Sequence, residues 1–267
     1  PGIVKHLDKR VRDWNAGMPK DGSDPSYSKT GALPGTHFVN PIGVGQDPWV
    51  IRDSKEKRYL WCFSEGDRAI TIHTSKNLTR LGKRHLVWQA PDEGPFSRQV
   101  WAPELHLLDG RWYIYFAASD GKNRNHLTYV LRSRNEDPLG KYDLHGPLQT
   151  GDRTSENLWA IDMTPLTHKG ELYALWSGWD RPDSDRQFLY IARMESPTKL
   201  ATRRVRLCDN LDYPWERTEP PPKGRGLNEA PQVLTQGDRL FVTYSCGASW
   251  LPSYKLGLLE LVGDNPL

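Results

Sequence analysis

Residues 102–121 read APELHLLDGRWYIYFAASDG. A proline opens a short apolar run, Asp109-Gly110 breaks it, and a longer aromatic run comes next. Asp-Gly suits a two-residue hairpin turn, because both of its positions need positive φ. The apolar and aromatic runs on either side point to two antiparallel strands. The same sentence recurs as DPWVIRDSKEKRYLWCFSEG from Asp47, MTPLTHKGELYALWSGWD from Met163 and EAPQVLTQGDRLFVTYSCG from Glu229. The prolines Pro48, Pro103, Pro165 and Pro231 are spaced by 55, 62 and 66 residues. One antiparallel sheet per repeat of this length is the pattern of a β-propeller, whose blades share an axis. Acids far apart in sequence can then meet at the strand mouths.

Outward from these repeats, residues 1–40 are polar and broken by Gly and Pro, and read as an N-terminal arm. Residues 41–267 read as a single propeller domain. WVIR, RYLWCFSE, AITIHTS and HLVWQA are the four strands expected of blade one. LTYVLRS and FLYIARM are the third strands of blades two and three, and KLGLLELV closes blade four. No segment keeps a helical period, so long helices are not expected. The expected fold is all-β. Four blades are legible, and a fifth is missing, truncated or closed by the N-terminal arm.

Composition narrows the function. Eleven Trp and eleven Tyr in 267 residues supply the core and could also supply flat faces for sugar rings. The net charge of +3 is spread without blocks, which argues against a nucleic-acid footprint. Mean hydropathy is −0.70, and no apolar run approaches the ~20 residues of a membrane span. Cys62, Cys208 and Cys246 have no metal-like spacing, and Cys62 and Cys246 are expected to be buried thiols.

The carboxylates carry the chemistry. Asp47 opens blade one, Asp162 opens blade three and Glu229 opens blade four. A lone acid there can be a turn cap. Three at matching places repel one another and raise their pKa values, a cost a fold tolerates where the site uses it. Glycoside hydrolysis needs one protonated and one ionised carboxyl, held apart in pKa by their surroundings. Glu104 comes after the proline of blade two, and alternation turns it away from the channel.

At QDPWV (46–50), VWAPELHLLDGRWYIYFAAS (100–119), the Asp of WAIDMTPL (159–166) and LNEAPQVL (227–234), the sequence resembles glycoside hydrolase family 43. The resemblance implies a five-bladed propeller and an inverting reaction. It makes Asp47 the general base, Glu229 the general acid and Asp162 the pKa modulator. AASDGKNRNHLTYVL and RMESPTKL are most similar to exo-acting α-L-arabinofuranosidases, which implies release of terminal arabinofuranosyl residues from plant cell-wall glycans, arabinan or xylan. A β-xylosidase and a non-catalytic sugar-binding propeller are the alternatives. Trp101, Trp159, Ser119, Asn125, His126 and Trp250 are the candidate substrate contacts, with inter-blade packing the other reading of Trp101 and Trp159. Trp49 is expected in the core. No cofactor or metal is expected. The family's axial calcium would need a central His that His73, His106 and His126 do not match. A secreted or periplasmic monomer acting on carbohydrate is expected, without nucleic-acid or membrane partners.

Overall fold

The computed structural model describes residues 42–153, 156–217 and 226–267. The arm expected at 1–40 lies outside them. Residues Gly43–Leu267 form one unit. Four antiparallel sheets succeed one another along the chain. Blade one is β1 (Trp49–Asp53), β2 (Arg58–Glu65), β3 (Ala69–Ser75) and β4 (Lys83–Gln89). Blade two is β5 (Arg98–Leu108), β6 (Arg111–Ser119), β7 (Leu127–Ser133) and β8 (Tyr142–His145). Blade three is β9 (Ala160–His168), β10 (Glu171–Gly178) and β11 (Phe188–Ser196), with β12 (Lys199–Leu200) and β13 (Val205–Cys208) both paired to β11. Blade four has three strands, β14 (Asn228–Gln236), β15 (Arg239–Cys246) and β16 (Lys255–Glu260). Among the described residues the only helical pieces are two three-residue 3-10 turns.

Turn residues close the hairpins as the sequence predicts. Asp109 and Gly110 sit at φ 48° and 74° between the paired residues Leu108 and Arg111. Lys169 and Gly170 make the same turn at φ 49° and 83°. Positive φ at both positions matches the right-handed twist of the flanking strands.

Apolar faces stack blade against blade. Leu60, Cys62 and Ile72 of blade one meet Leu105, Ile114 and Phe116 of blade two. Tyr115 and Val130 meet Met163 and Trp176 of blade three, and Leu175 and Ile191 meet Leu240 and Val242 of blade four. As expected, Cys62 and Cys246 are buried free thiols. Trp49 packs on the first of these cores and donates Nε1–H to the Leu105 carbonyl at 2.8 Å, tying β1 to β5.

One backbone device recurs where the inner strands begin. Trp101 pairs with Ala117 and Glu104 with Tyr115, three residues against two. Ile161 and Thr164 face Ser177 and Leu175 in the same way, and Glu229 and Gln232 face Ser245 and Thr243. Each is a β-bulge with one extra residue. The residue after the last pair adopts positive φ in all three: Ala102 at 42°, Asp162 at 54° and Ala230 at 51°. Asp47, just ahead of β1, matches them at 48°. The left-handed region costs an L-residue roughly 1–2 kcal/mol, so its recurrence marks a constraint of the fold.

This register corrects the alignment on prolines. Pro48, Pro103 and Pro231 each come directly after the positive-φ residue, and in blade three that place belongs to Met163. Pro165 lies two residues farther along β9. Asp47 and Asp162 occupy the positive-φ position itself. Glu229 stands one residue before it, beside Ala230.

Candidate active site

The mouths of β1, β9 and β14 bring Asp47, Asp162 and Glu229 into one electrostatic unit. Asp162 feels Glu229 and Asp47, and Glu229 feels Asp47. Burial is the first cause of the raised pKa of Asp162, with repulsion from Glu229 and Asp47 next, while the Ala230 N–H, donated to Oδ2 at 3.1 Å, opposes the rise. Burial also lifts Glu229; the Tyr254 hydroxyl, donating to Oε1 at 2.9 Å, pulls it back, and Asp47 adds to the rise. Asp47 is an exposed residue as a whole, but its carboxyl is crowded enough for lost hydration to raise its pKa as well. Among the described residues none of the three forms an ion pair with Lys, Arg or His. Burial first, and repulsion from neighbouring carboxyls after it, push Asp162 and Glu229 above their ordinary carboxylate values.

Glu229 is fixed from three sides. The Asn228 N–H donates to the Gln187 carbonyl at 3.1 Å, and the Asn228 carbonyl accepts from Ser177 Oγ at 2.8 Å. The Asn228 side chain reaches Cys208 and Glu216. Glu216 is fully buried, accepts from the Tyr244 hydroxyl and, chiefly through burial, has a raised pKa. Blades three and four and the loop before β14 thereby share the strand mouth that carries the acid.

Glu104 corrects the alternation argument. The bulge at Ala102 adds one residue to β5, which reverses the facing of the residues beyond it. Glu104 is buried and points inward, where it accepts from Gln232 Nε2 of β14 and pairs with His106 Nε2 at 2.9 Å. His106 packs against Trp49 and Tyr115. This network spans blades one, two and four and is a structural clasp below the acids.

The other candidates divide. Trp101 is half-buried at the place in its bulge that Glu229 has in blade four, and its ring stacks on His126 at 3.8 Å. His126, a candidate substrate contact, is instead fully buried. Its Nδ1 lies 2.8 Å from the Asn123 carbonyl and its Nε2 3.2 Å from the Gln99 carbonyl, and burial lowers its pKa. Ser119 is equally buried, donating to Gln99 Oε1 at 2.6 Å and accepting the Gly121 N–H. Trp159 stacks on Trp179 at 4.9 Å and donates to the Asn123 carbonyl. These three build the wall behind Trp101. Asn125 is exposed and donates both bonds of its Nδ2 to Asp120. Trp250 is 66% exposed on the loop between β15 and β16.

Tyr254 is the site residue that sequence reasoning missed. It lies in a loop without periodicity, four residues after Trp250, and nothing local marks it as a partner of Glu229. An open cleft lined by Asp92, Glu93, Pro95, Ser97, Arg98 and Asp120 contains none of the three acids. The described residues do not fit the axial cation of the resemblance: His106 is engaged with Glu104, and no group of three His, Cys, Asp or Glu side chains among them is arranged to hold a metal.

The chain is similar to several known proteins. The model of glycosyl hydrolases family 43 matches residues 38–262. An extracellular exo-α-(1→5)-L-arabinofuranosidase of Streptomyces chartreusis is 29% identical over 79% of this chain and 63% of its own length. Alpha-L-arabinofuranosidase 43 of Humicola insolens is 29% identical over 88% of this chain and 48% of its own. The chain thus spans about half to two thirds of these curated relatives. The crystal structure of an α-L-arabinofuranosidase from Lactobacillus brevis superposes with a TM-score of 0.75 at 31% identity, covering 86% of this chain and 72% of that one.

Proposed function

The chain belongs to glycosyl hydrolases family 43, and from that premise we propose that it is an inverting, exo-acting α-L-arabinofuranosidase. The observation that carries this reading is the cluster of three carboxyls with raised pKa values, one of them, Glu229, held by a single hydroxyl donor. Glu229 enters the reaction protonated. Its proton passes to the glycosidic oxygen as the bond from that oxygen to the anomeric carbon breaks. Water forms the new bond from the opposite face, and Asp47 takes the proton that water loses. Burial, with repulsion from Asp47 after it, favours the protonated form of Glu229, and Asp162, whose own pKa burial and Glu229 raise, is the third carboxyl that modulates the pair. In an inverting site the Asp47 and Glu229 carboxyls stand roughly 6.5–9.5 Å apart, with room for that water.

The relatives named for arabinofuranosides favour arabinose over xylose at the bond that is cut. The relative from S. chartreusis is named extracellular, which supports secretion, and among the described residues no helix is long and apolar enough to cross a membrane. A fifth blade completes the proposed ring. The face of blade four turned away from blade three leaves Leu256 75% and Leu258 60% exposed, with Leu234 beside them. Such an apolar face suits a further sheet contributed by residues outside those described.

Hydrolysis of 4-nitrophenyl α-L-arabinofuranoside, beside the β-D-xylopyranoside, tests the substrate. Proton NMR of the first sugar released tests the stereochemistry. Glu229→Gln should lose roughly 10²–10⁴-fold on poor leaving groups and far less on the nitrophenyl one. Retention of configuration, or equal losses on both leaving groups, would overturn the assignment.

A further inference from the structure

We propose that Tyr213, Trp215 and Trp250 form the surface that receives the leaving-group side of a glycan substrate, an arabinose-based chain rather than a compact aglycone. The inference rests on the arabinofuranosidase reading and deepens it.

Three large aromatic side chains are left in water on the segments between β13 and β14 and between β15 and β16. Tyr213 is 56% exposed, Trp215 42% and Trp250 66%, on a protein that buries most of its other large aromatics between blades. The rings of Tyr213 and Trp215 lie 6.0 Å apart and are tilted by 30°, so they present a continuous shelf. Pro214 stands between them as the first residue of a 3-10 turn, which limits the freedom of that shelf.

Both segments are tied to the start of β14, the first through the contact of Glu216 with Asn228 and the second through Tyr254. The first leads from β13 into β14, the strand that Glu229 opens. The second runs from β15 to β16 and holds Trp250 and Tyr254, the donor to Glu229. The Gly247 N–H donates to the Glu216 carbonyl at 3.2 Å, which stitches the two loops together next to Trp215. The buried Glu216 side chain anchors this joint through Tyr244 and Asn228. The backbone that carries the aromatics is therefore tied to the strand that Glu229 opens.

The chemistry then gives the shelf its side. Glu229 delivers a proton to the oxygen that leaves, so the sugar bearing that oxygen lies on the Glu229 side of the broken bond. Loops seated around Glu229 face that sugar and the ones beyond it. Flat aromatic faces bury the C–H faces of sugar rings without demanding particular hydroxyls, which suits a chain that must be released after one cut.

Isothermal titration of the Glu229→Gln protein with arabinobiose and arabinohexaose tests this. The hexaose should bind about tenfold more tightly, and Trp215→Ala and Trp250→Ala, made in that background, should each remove most of the difference. With Glu229 intact, each change should lower kcat/KM for arabinohexaose about tenfold more than for the nitrophenyl arabinofuranoside. Both tryptophans are exposed, so an unchanged melting temperature confirms that the fold survives. Equal affinity for the two sugars, or affinity indifferent to both substitutions, would overturn the shelf. Absence of nitrophenyl turnover would instead count against the arabinofuranosidase reading, and the titration reads the shelf in either case.

Discussion

In blade two the bulge at Ala102 turns Glu104 inward, where Gln232 and His106 take up its oxygens. In blade four the matching bulge at Ala230 leaves Glu229 just ahead of it, with Tyr254 as its donor and Asp162 as its neighbour. Both strands begin with the same three-against-two pairing, and both carry a glutamate within three residues of it. The place of the acid relative to the extra residue decides what it does. Two residues past the bulge, a carboxyl points down the channel and is consumed by other blades. At or just before it, a carboxyl sits at the mouth, short of partners and with its pKa raised.

The largest break in that comparison comes from the clasp. Glu104→Ala would leave the half-buried His106 and Gln232 with unmet polar groups, at a cost of about 3 kcal/mol. For a domain of this size that corresponds to a fall in melting temperature of roughly 6–12 °C. Glu104→Gln keeps the shape and one acceptor and should lose less. A melting curve unchanged by Glu104→Ala would mean that the inner strands do not depend on this network.

At the mouth the expected effect is on protonation. The Tyr254 hydroxyl donates to the ionised form of Glu229 and so lowers its pKa. Tyr254→Phe removes that donor, and Glu229 should keep its proton to higher pH. The basic limb of the kcat/KM profile, where the general acid is lost, should then move upward by about one pH unit, the equivalent of one hydrogen bond to a charged group. Movement of that limb downward would contradict the role given to Tyr254.

The same contrast separates the legible parts of the molecule from the hidden ones. The strands of blades one to three are legible because apolar and aromatic runs and turn residues such as Asp109-Gly110 are local signals. The meeting of Asp47, Asp162 and Glu229 is legible because the repeat puts distant segments on one axis. The bulges are not, since positive φ falls on Asp47, Ala102, Asp162 and Ala230, and no glycine marks it. That hidden residue is why alternation turns Glu104 outward on paper and why Pro165 aligns in the wrong register. The sequence offers Ser119, with Asn125, as a substrate contact because their loop is expected to open toward the site, and His126 because it lies in the loop after the second strand of blade two. The burial of His126 and Ser119 depends on Gln99, another residue at positive φ, whose carbonyl and side chain they bind.

The finest test of the bulges uses the two alanines that adopt them. Ala102 and Ala230 both hold left-handed backbone at φ 42° and 51°. Glycine accepts that conformation without strain from Cβ, so Ala102→Gly and Ala230→Gly should each stabilise the fold by about 0.5–1 kcal/mol in urea unfolding. They should differ in activity. The Ala230 N–H holds Asp162 Oδ2 at 3.1 Å, and a looser backbone there would let the pair of acids separate. Ala230→Gly should therefore lose a few-fold in kcat while Ala102→Gly does not. If both changes destabilised the protein, the positive φ would not be a strain these strands carry. If both left kcat alike, the bulge of blade four would shape the strand without positioning Asp162.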